Sequence, residues 1–494
     1  MTISVVPFVG LAAGNSPTWR RALLAVLLAI AVAYFATTAV QEMVSPHAAA
    51  HDFGVYFRAA QALAHGRGIY APPPPCCFNA TAMTGYTYPP LFAALLVPLT
   101  WLPIDDAGRV WLAISYAALL VILVAGVRAA PQRLSGEGVA WLGLAVLTAG
   151  AVAFALFELQ ATPVVVALEA IFALCVVRNR CVFAGGVCLA LAVAFKVSPL
   201  LIAPALILLP RPSALRGLLG LACGLAAAGL LSLLLSHQAI YYVTDVLPSF
   251  SSGVLSANNL SLPGVLLRAL AAAGVRPPAT IGELFLVVEV AALAATWWLC
   301  RGAGDARGRA LMIAGLLAVT PIVQGVTWDH HLIGDLLALM LLAPLLRRWS
   351  PAWFLAVGGT LVAVANRHVL ETWTGSNGVG PDGHAANLAA FVAVAAFNLT
   401  GMCALWAATM LTARRIRRAT HATEAAAPRS DERHLGTDHA GLALVLARQP
   451  VADAGALLPS RPWSRSPIWS TRPKVERWWG CSRSQPPADP SPEC

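Results

Sequence analysis

The chain has 494 residues, of which 58% are hydrophobic and only 11% charged, and its mean hydropathy is +0.70. A soluble domain carries about 25% charged residues, so this composition excludes one, and the lack of short alternating segments excludes a β-barrel. The net charge of +10 is mostly arginine in short loops and the tail, a pattern that suits loops facing anionic lipid and argues against a nucleic-acid partner.

Apolar runs recur from Ala22 to about Leu411. They predict an all-α integral membrane protein, a multi-spanning helical bundle of about twelve transmembrane helices. The basic pair Arg20-Arg21 precedes the first span, Ala22–Val40, and predicts that residues 1–19 are cytoplasmic. No small-residue cleavage site follows a short apolar core, so that span is read as retained. Residues 41–87 form the first outer loop, with Phe57–Ala64 as a helix lying at the interface. Tyr88-Pro89-Pro90-Leu91 opens an apolar stretch to Pro103 that is short and contains Pro98, so it reads as a half-helix or interfacial helix.

Val110–Val127 then crosses inward. Further helices are expected at 139–157, 161–177, 183–195, 198–209, 215–235, 282–300, 310–327, 332–346, 352–366 and 388–412. With alternation, every arginine-rich loop falls inside. The outer side then collects Asp52, Glu158 and Gln160, Lys196, the 236–281 loop, Asp329-His330-His331 and the 367–387 loop. Residues 20–412 are therefore one transmembrane domain. Residues 413–494 lose apolar periodicity and read as a basic, disordered cytoplasmic tail.

The chemistry-bearing residues form small polar islands. Asp52 and Tyr56, in His51-Asp52-Phe53-Gly54-Val55-Tyr56-Phe57-Arg58, share a helix face at i,i+4. Asp52 could act as a base on a substrate at the lipid surface, or cap a surface helix. Lys196 at the end of an apolar run could bind a lipid phosphate as a point charge, or snorkel to the interface. His331 and Asp335 are also at i,i+4, so the carboxylate could orient the imidazole. The His330-His331 pair lacks an obvious third metal ligand, and the plain alternative is a hydrogen-bonded interfacial cluster. Asn258-Asn259-Leu260-Ser261 could bind sugar hydroxyls or form a turn with an N-cap, and Asn259-Leu260-Ser261 matches a glycosylation sequon. The ten cysteines are scattered, with no zinc spacing. Gly-rich phosphate loops, the HExxH zinc motif and a nucleophile elbow are missing, and no internal repeat stands out.

These islands resemble glycosyltransferase family 87, polyprenol-phosphate-sugar-dependent enzymes of the GT-C fold. The resemblance rests on Asp52-Phe53-x-Val55-Tyr56, Ala59-Ala60, Gly66, Tyr70, Tyr88-Pro89-Pro90-Leu91, Lys196-x-x-Pro199, Asn259-Leu260-Ser261-Leu262 and His330-His331. It runs from about residue 20 to 412. One departure is Glu158-Leu159-Gln160-Ala161-Thr162, where the family more often has Gly-Gln and a following Asn.

The resemblance implies an inverting mannosyltransferase in the cell membrane. Asp52 would be the general base, and a protonated histidine would help Lys196 offset charge on the departing phosphate. Lys196, His330, His331, Tyr56 and Arg58 would hold the donor, a polyprenyl-phosphate sugar. Tyr88, Asn259 and Ser261 would contact sugar or acceptor, a cell-envelope glycolipid or glycan. No cofactor is expected, and a divalent metal is left open. The rivals are a secondary transporter, which predicts inverted repeats and broken helices, and a non-catalytic envelope scaffold.

Overall fold

In the computed structural model the first apolar run folds as one helix, α1, Thr18–Val44, longer at both ends than its apolar core. The structure describes residues 17–44, 48, 52–70, 85–250, 259–275, 278, 280–301, 304–365 and 388–426, all within one unit, Met1–Ala427. His51, Cys76, Cys77, the 367–387 loop and the tail beyond 426 lie outside the described residues.

Helix α2, Asp52–Ala64, starts five residues before the expected interfacial helix. Phe53, Tyr56, Phe57 and Ala60 recur at i, i+3 and i+4, and all four are buried. That face packs on α3, Pro90–Leu96, and on the 3-10 turn Val97–Trp101 that continues it. The stretch from Pro90 to Trp101 is thus a short apolar helix, as its length required. Helix α4, Ile104–Ala129, follows. Its Arg109 pairs with Asp106 and donates from Nε to Met43 O at 2.8 Å, which ties the start of α4 to the end of α1.

The helix expected at 139–157 is broken. Helices α5, Gly136–Thr148, and α6, Gly150–Phe157, meet at Ala149 with a 48° bend. The chain continues through α7, Thr162–Arg178, and α8, Val182–Phe195. Residues 198–208 form a 3-10 run instead of an α-helix. Pro204 lies inside the run and lacks the N–H that an α-helix needs there.

Helix α9, Arg211–Leu235, packs closely along α8. A Cβ on Gly186 would collide with Gly217 O, and one on Gly220 with Phe183 O, so the backbones meet where only hydrogen stands between them. The remaining described helices of ten or more residues are α10, Leu262–Ala272, α11, Ile281–Cys300, α12, Ala306–Val323, α13, Ile333–Leu342, α14, Pro351–Ala363, and α15, Leu388–Ala426. Helix α12 is buried nearly throughout from Gly308 to Val323 and touches α7, α11, α13 and α15, so it is the centre of the bundle. Helix α15 runs to Ala426, so the helical region extends past the expected boundary at 412.

The described residues contain no strand. Among the described residues, six helices are long and apolar enough to cross a membrane, or seven if the bent pair counts as one span. Several of the helices expected to span, among them Val182–Phe195 and Pro351–Ala363, are shorter than that criterion.

Candidate active site

Helix α6 ends at Phe157, and the chain then turns through Leu159, a non-glycine residue at φ 53°. A left-handed backbone is costly for Leu and easy for glycine. Here it is held by tertiary contacts: Trp111 on α4 donates its indole N–H to Leu159 O at 2.9 Å, and the Leu159 side chain is buried. This explains the departure seen in the sequence, because the position that more often carries glycine is the one with positive φ.

The turn aims Gln160 at α2. Gln160 is 1% exposed, and its Nε2 donates to the Asp52 carboxylate. Its Oε1 accepts from the Tyr56 hydroxyl at 2.8 Å and from the Tyr88 hydroxyl at 3.3 Å, and the two phenols are themselves 2.9 Å apart. Burial raises the pKa of both phenols, with Asp52 adding to the rise, so they stay protonated donors. The i,i+4 pair read from the sequence is thus one network, closed by a residue about a hundred positions away in the chain.

Opposite this network stands Lys196, in the break between α8 and the 3-10 run. Its Nζ contacts His331 Nε2. Gln324 Nε2 lies 3.0 Å from His331 Nδ1. Burial pushes Lys196 down to about 7, while Glu169 and then Asp52 pull it back up. Burial, then Lys196, pushes both His330 and His331 well below the usual imidazole range. His331 is therefore neutral beside the lysine. That corrects the expectation of a protonated histidine, because a second cation cannot be held beside a buried ammonium.

The expected His331–Asp335 pair does not form. Residues 329–332 are a 3-10 turn and the α-helix begins only at Ile333, so i and i+4 no longer share a face. Asp335 is fully buried, and neither carboxylate oxygen has a hydrogen-bond partner among the described residues. His330 instead lies parallel to Phe154, with ring centroids 6.1 Å apart, and the bend at Ala149 gives α6 its contact with the 329–332 turn.

Asp52, Tyr56, Tyr88, Lys196, His330 and His331 all line one cavity of about 420 Å³. Gln160, Tyr242, Gln324 and Trp328 line it too. Gln324 and Tyr242 were missed in the sequence; the only hint was a polar residue just after Pro321 in an apolar helix and an aromatic pair, Tyr241-Tyr242, beyond α9. Arg58 is exposed and is not part of the lining.

Asn259 and Ser261 are fully buried and do not line the cavity. Asn259 Oδ1 accepts from Thr327 N at 2.9 Å and Ser261 Oγ at 2.8 Å, and its Nδ2 donates to Gly325 O at 2.9 Å. They brace the Gly325–Trp328 wall, and burial leaves no room for a glycan at Asn259. Among the described residues no three His, Cys, Asp or Glu side chains stand together at metal-holding geometry.

The fold and this cavity define an all-helical membrane protein with a carboxylate facing a buried lysine. The model of glycosyltransferase family 87 matches residues 86–323. The resemblance read from the sequence is borne out over that stretch, which is just under half of the chain, and the helical fold is consistent with the GT-C superfamily. No curated protein matches the chain. Asp52 and the His330-His331 pair fall outside the matched stretch, so their roles rest on geometry.

Proposed function

We propose that the protein transfers a sugar, mannose in our reading, from a polyprenyl-phosphate donor to a cell-envelope glycolipid or glycan, with inversion and with Asp52 as general base. The observation that carries this is the polarity of one cavity: the Asp52–Gln160–Tyr56 network lines it together with the Lys196–His331 pair. The reaction needs an anion to take a proton and a cation to receive a phosphate.

Asp52 removes the proton from the acceptor hydroxyl as that oxygen attacks the anomeric carbon. The carbon–oxygen bond to the lipid phosphate breaks, and its electron pair leaves on the phosphate oxygen. Attack opposite the leaving group inverts the configuration. General-base catalysis contributes roughly 10²–10⁴-fold. The N–H that Gln160 donates suits an acceptor-only carboxylate, the form a base requires. Lys196 meets the charge that develops on the phosphate. Neutral His331, in contact with Nζ, orients the ammonium.

A lipid-carried donor fits an active site on the outer face, since nucleotide sugars are cytoplasmic. That orientation, both termini inside, and about twelve crossings belong to this proposal and follow from the arginine-rich loops. The bend at Ala149 is the kind of broken helix a transporter uses, but here it serves the contact of α6 with the histidine turn.

The test is sugar transfer from labelled polyprenyl-phosphate mannose to membrane lipid extract by wild type and Asp52→Asn, with folding checked by size exclusion. Transfer by wild type and near-total loss in the variant is the expected result. Equal transfer by both removes Asp52 as the base. No transfer by either, with activity on another lipid-phosphate sugar, removes mannose.

A further inference from the structure

A second cavity, of about 600 Å³, opens at the far ends of α4, α7 and α8 from the Asp52 site. Helix α7 runs from Thr162, beside Gln160, to Arg178 over 17 residues, which is about 26 Å. Four arginines line the cavity: Arg128, Arg133, Arg178 and Arg180. No acidic residue lines it.

The four are not equivalent. Arg178 donates from Nε to Arg128 O and from Nη2 to Ala130 O, both at 2.9 Å, and so satisfies carbonyls at the end of α4. Arg128, Arg133 and Arg180 are exposed, and their guanidinium groups have neither a hydrogen bond nor an ion pair among the described residues. Three unpaired guanidinium groups around one concavity repel each other, and an anion there would relieve the repulsion. The rule that basic residues gather on one side of a membrane explains the charges. It does not call for a cavity between them. The same cavity has an apolar wall, to which Leu134 and Leu174 contribute.

We propose that this cavity binds the phosphoryl headgroup of an anionic phospholipid, separately from the transferase site. Guanidinium groups match phosphate oxygens in paired hydrogen bonds. The apolar wall at the end of membrane-length helices suits the glycerol and first methylenes of a lipid, which a free phosphate lacks. Basic pockets between transmembrane helices are a known kind of headgroup site.

The test uses the full chain in detergent, titrated with phosphatidylglycerol, with phosphatidylcholine of the same acyl length, and with inorganic phosphate, reading bound adducts by native mass spectrometry. Wild type should retain phosphatidylglycerol well over phosphatidylcholine. Arg133→Gln/Arg180→Gln should weaken phosphatidylglycerol binding about 30-fold, the loss expected for two arginines at a phosphate. Arg133→Lys/Arg180→Lys should keep most of it and shows that the sites tolerate substitution. Arg178 is left intact because it caps α4. Equal phosphatidylglycerol binding by wild type and the glutamine variant overturns the proposal, as does equal binding of the two lipids. Inorganic phosphate binding as tightly as phosphatidylglycerol overturns the lipid assignment.

Discussion

Gln160 accepts the Tyr56 hydroxyl at 2.8 Å through Oε1 and donates to Asp52 through Nε2, so one amide sets both the position of the carboxylate and the tilt of the phenol. Asp52 and Tyr56 lie one turn apart on α2. Only the amide from the α6–α7 turn makes them a unit.

Removing that amide should therefore lower turnover without removing the base. We expect Gln160→Ala to reduce kcat by roughly 10²-fold, the scale of a small misplacement of a reacting group. The donor KM should change much less. Tyr56→Phe removes the hydroxyl's contacts to Gln160 and Tyr88 but leaves the amide on Asp52, and should cost only about fivefold. Steady-state kinetics on both variants checks this, and a donor KM that rises as much as kcat falls would assign Gln160 to binding instead.

Trp111 should matter although it does not line the cavity. Trp111→Phe takes the indole donor from Leu159 O and leaves a buried carbonyl in a strained turn without that bond. An orphaned buried acceptor costs about 1–3 kcal/mol. Both thermal stability and turnover should fall. A variant with lowered stability and unchanged kcat per folded molecule would show that the turn does not aim Gln160.

The charge of Lys196 makes a pH signature. Its pKa sits near 7 because burial outweighs the pull of Glu169 and Asp52. Below that value it is an ammonium and above it neutral, so kcat/KM for the anionic donor should fall as pH rises through about 7. Lys196→Arg keeps its charge across this range and should flatten that limb. Stability runs the other way. The folded pKa lies below the ordinary lysine value, so protonation in the fold costs stability in full below about pH 7, and the cost fades as pH rises toward the unfolded value. Lys196→Met should raise Tm more at acidic than at alkaline pH, as read by thermal unfolding in detergent.

Asn259 should act on stability. Asn259→Ala strands Thr327 N and the Ser261 hydroxyl in a fully buried site, at about 1–3 kcal/mol. We expect a lower Tm, with transfer per folded molecule changed by less than about threefold. A raised acceptor KM at unchanged Tm would make Asn259 a substrate contact.

Much of this was legible in the chain. The apolar runs dictated a helical membrane protein, since backbone groups in lipid must pair within each segment. The short stretch after Tyr88 was read as less than a crossing from its length and Pro98, and it is a short apolar helix. Asp52, Tyr56, Tyr88, Lys196 and His331 were found as rare polar residues at the ends of apolar runs, because a polar group there is costly unless it has a use.

What the sequence could not decide was pairing. It put His331 with Asp335 by helical spacing, but the 3-10 turn at Asp329–Leu332 breaks that spacing. It expected a protonated histidine, whose charge depends on burial and then on the neighbouring Lys196, and only folding brings both about. It set Asn259 and Ser261 in the site, whereas the fold makes them the brace behind its wall. Hydropathy and helical period are local properties, so the spans and the polar islands were written in the chain. Which islands touch, and which nitrogen holds a proton, depends on contacts across a hundred or more residues and on the solvent they exclude, and only the tertiary structure decided that.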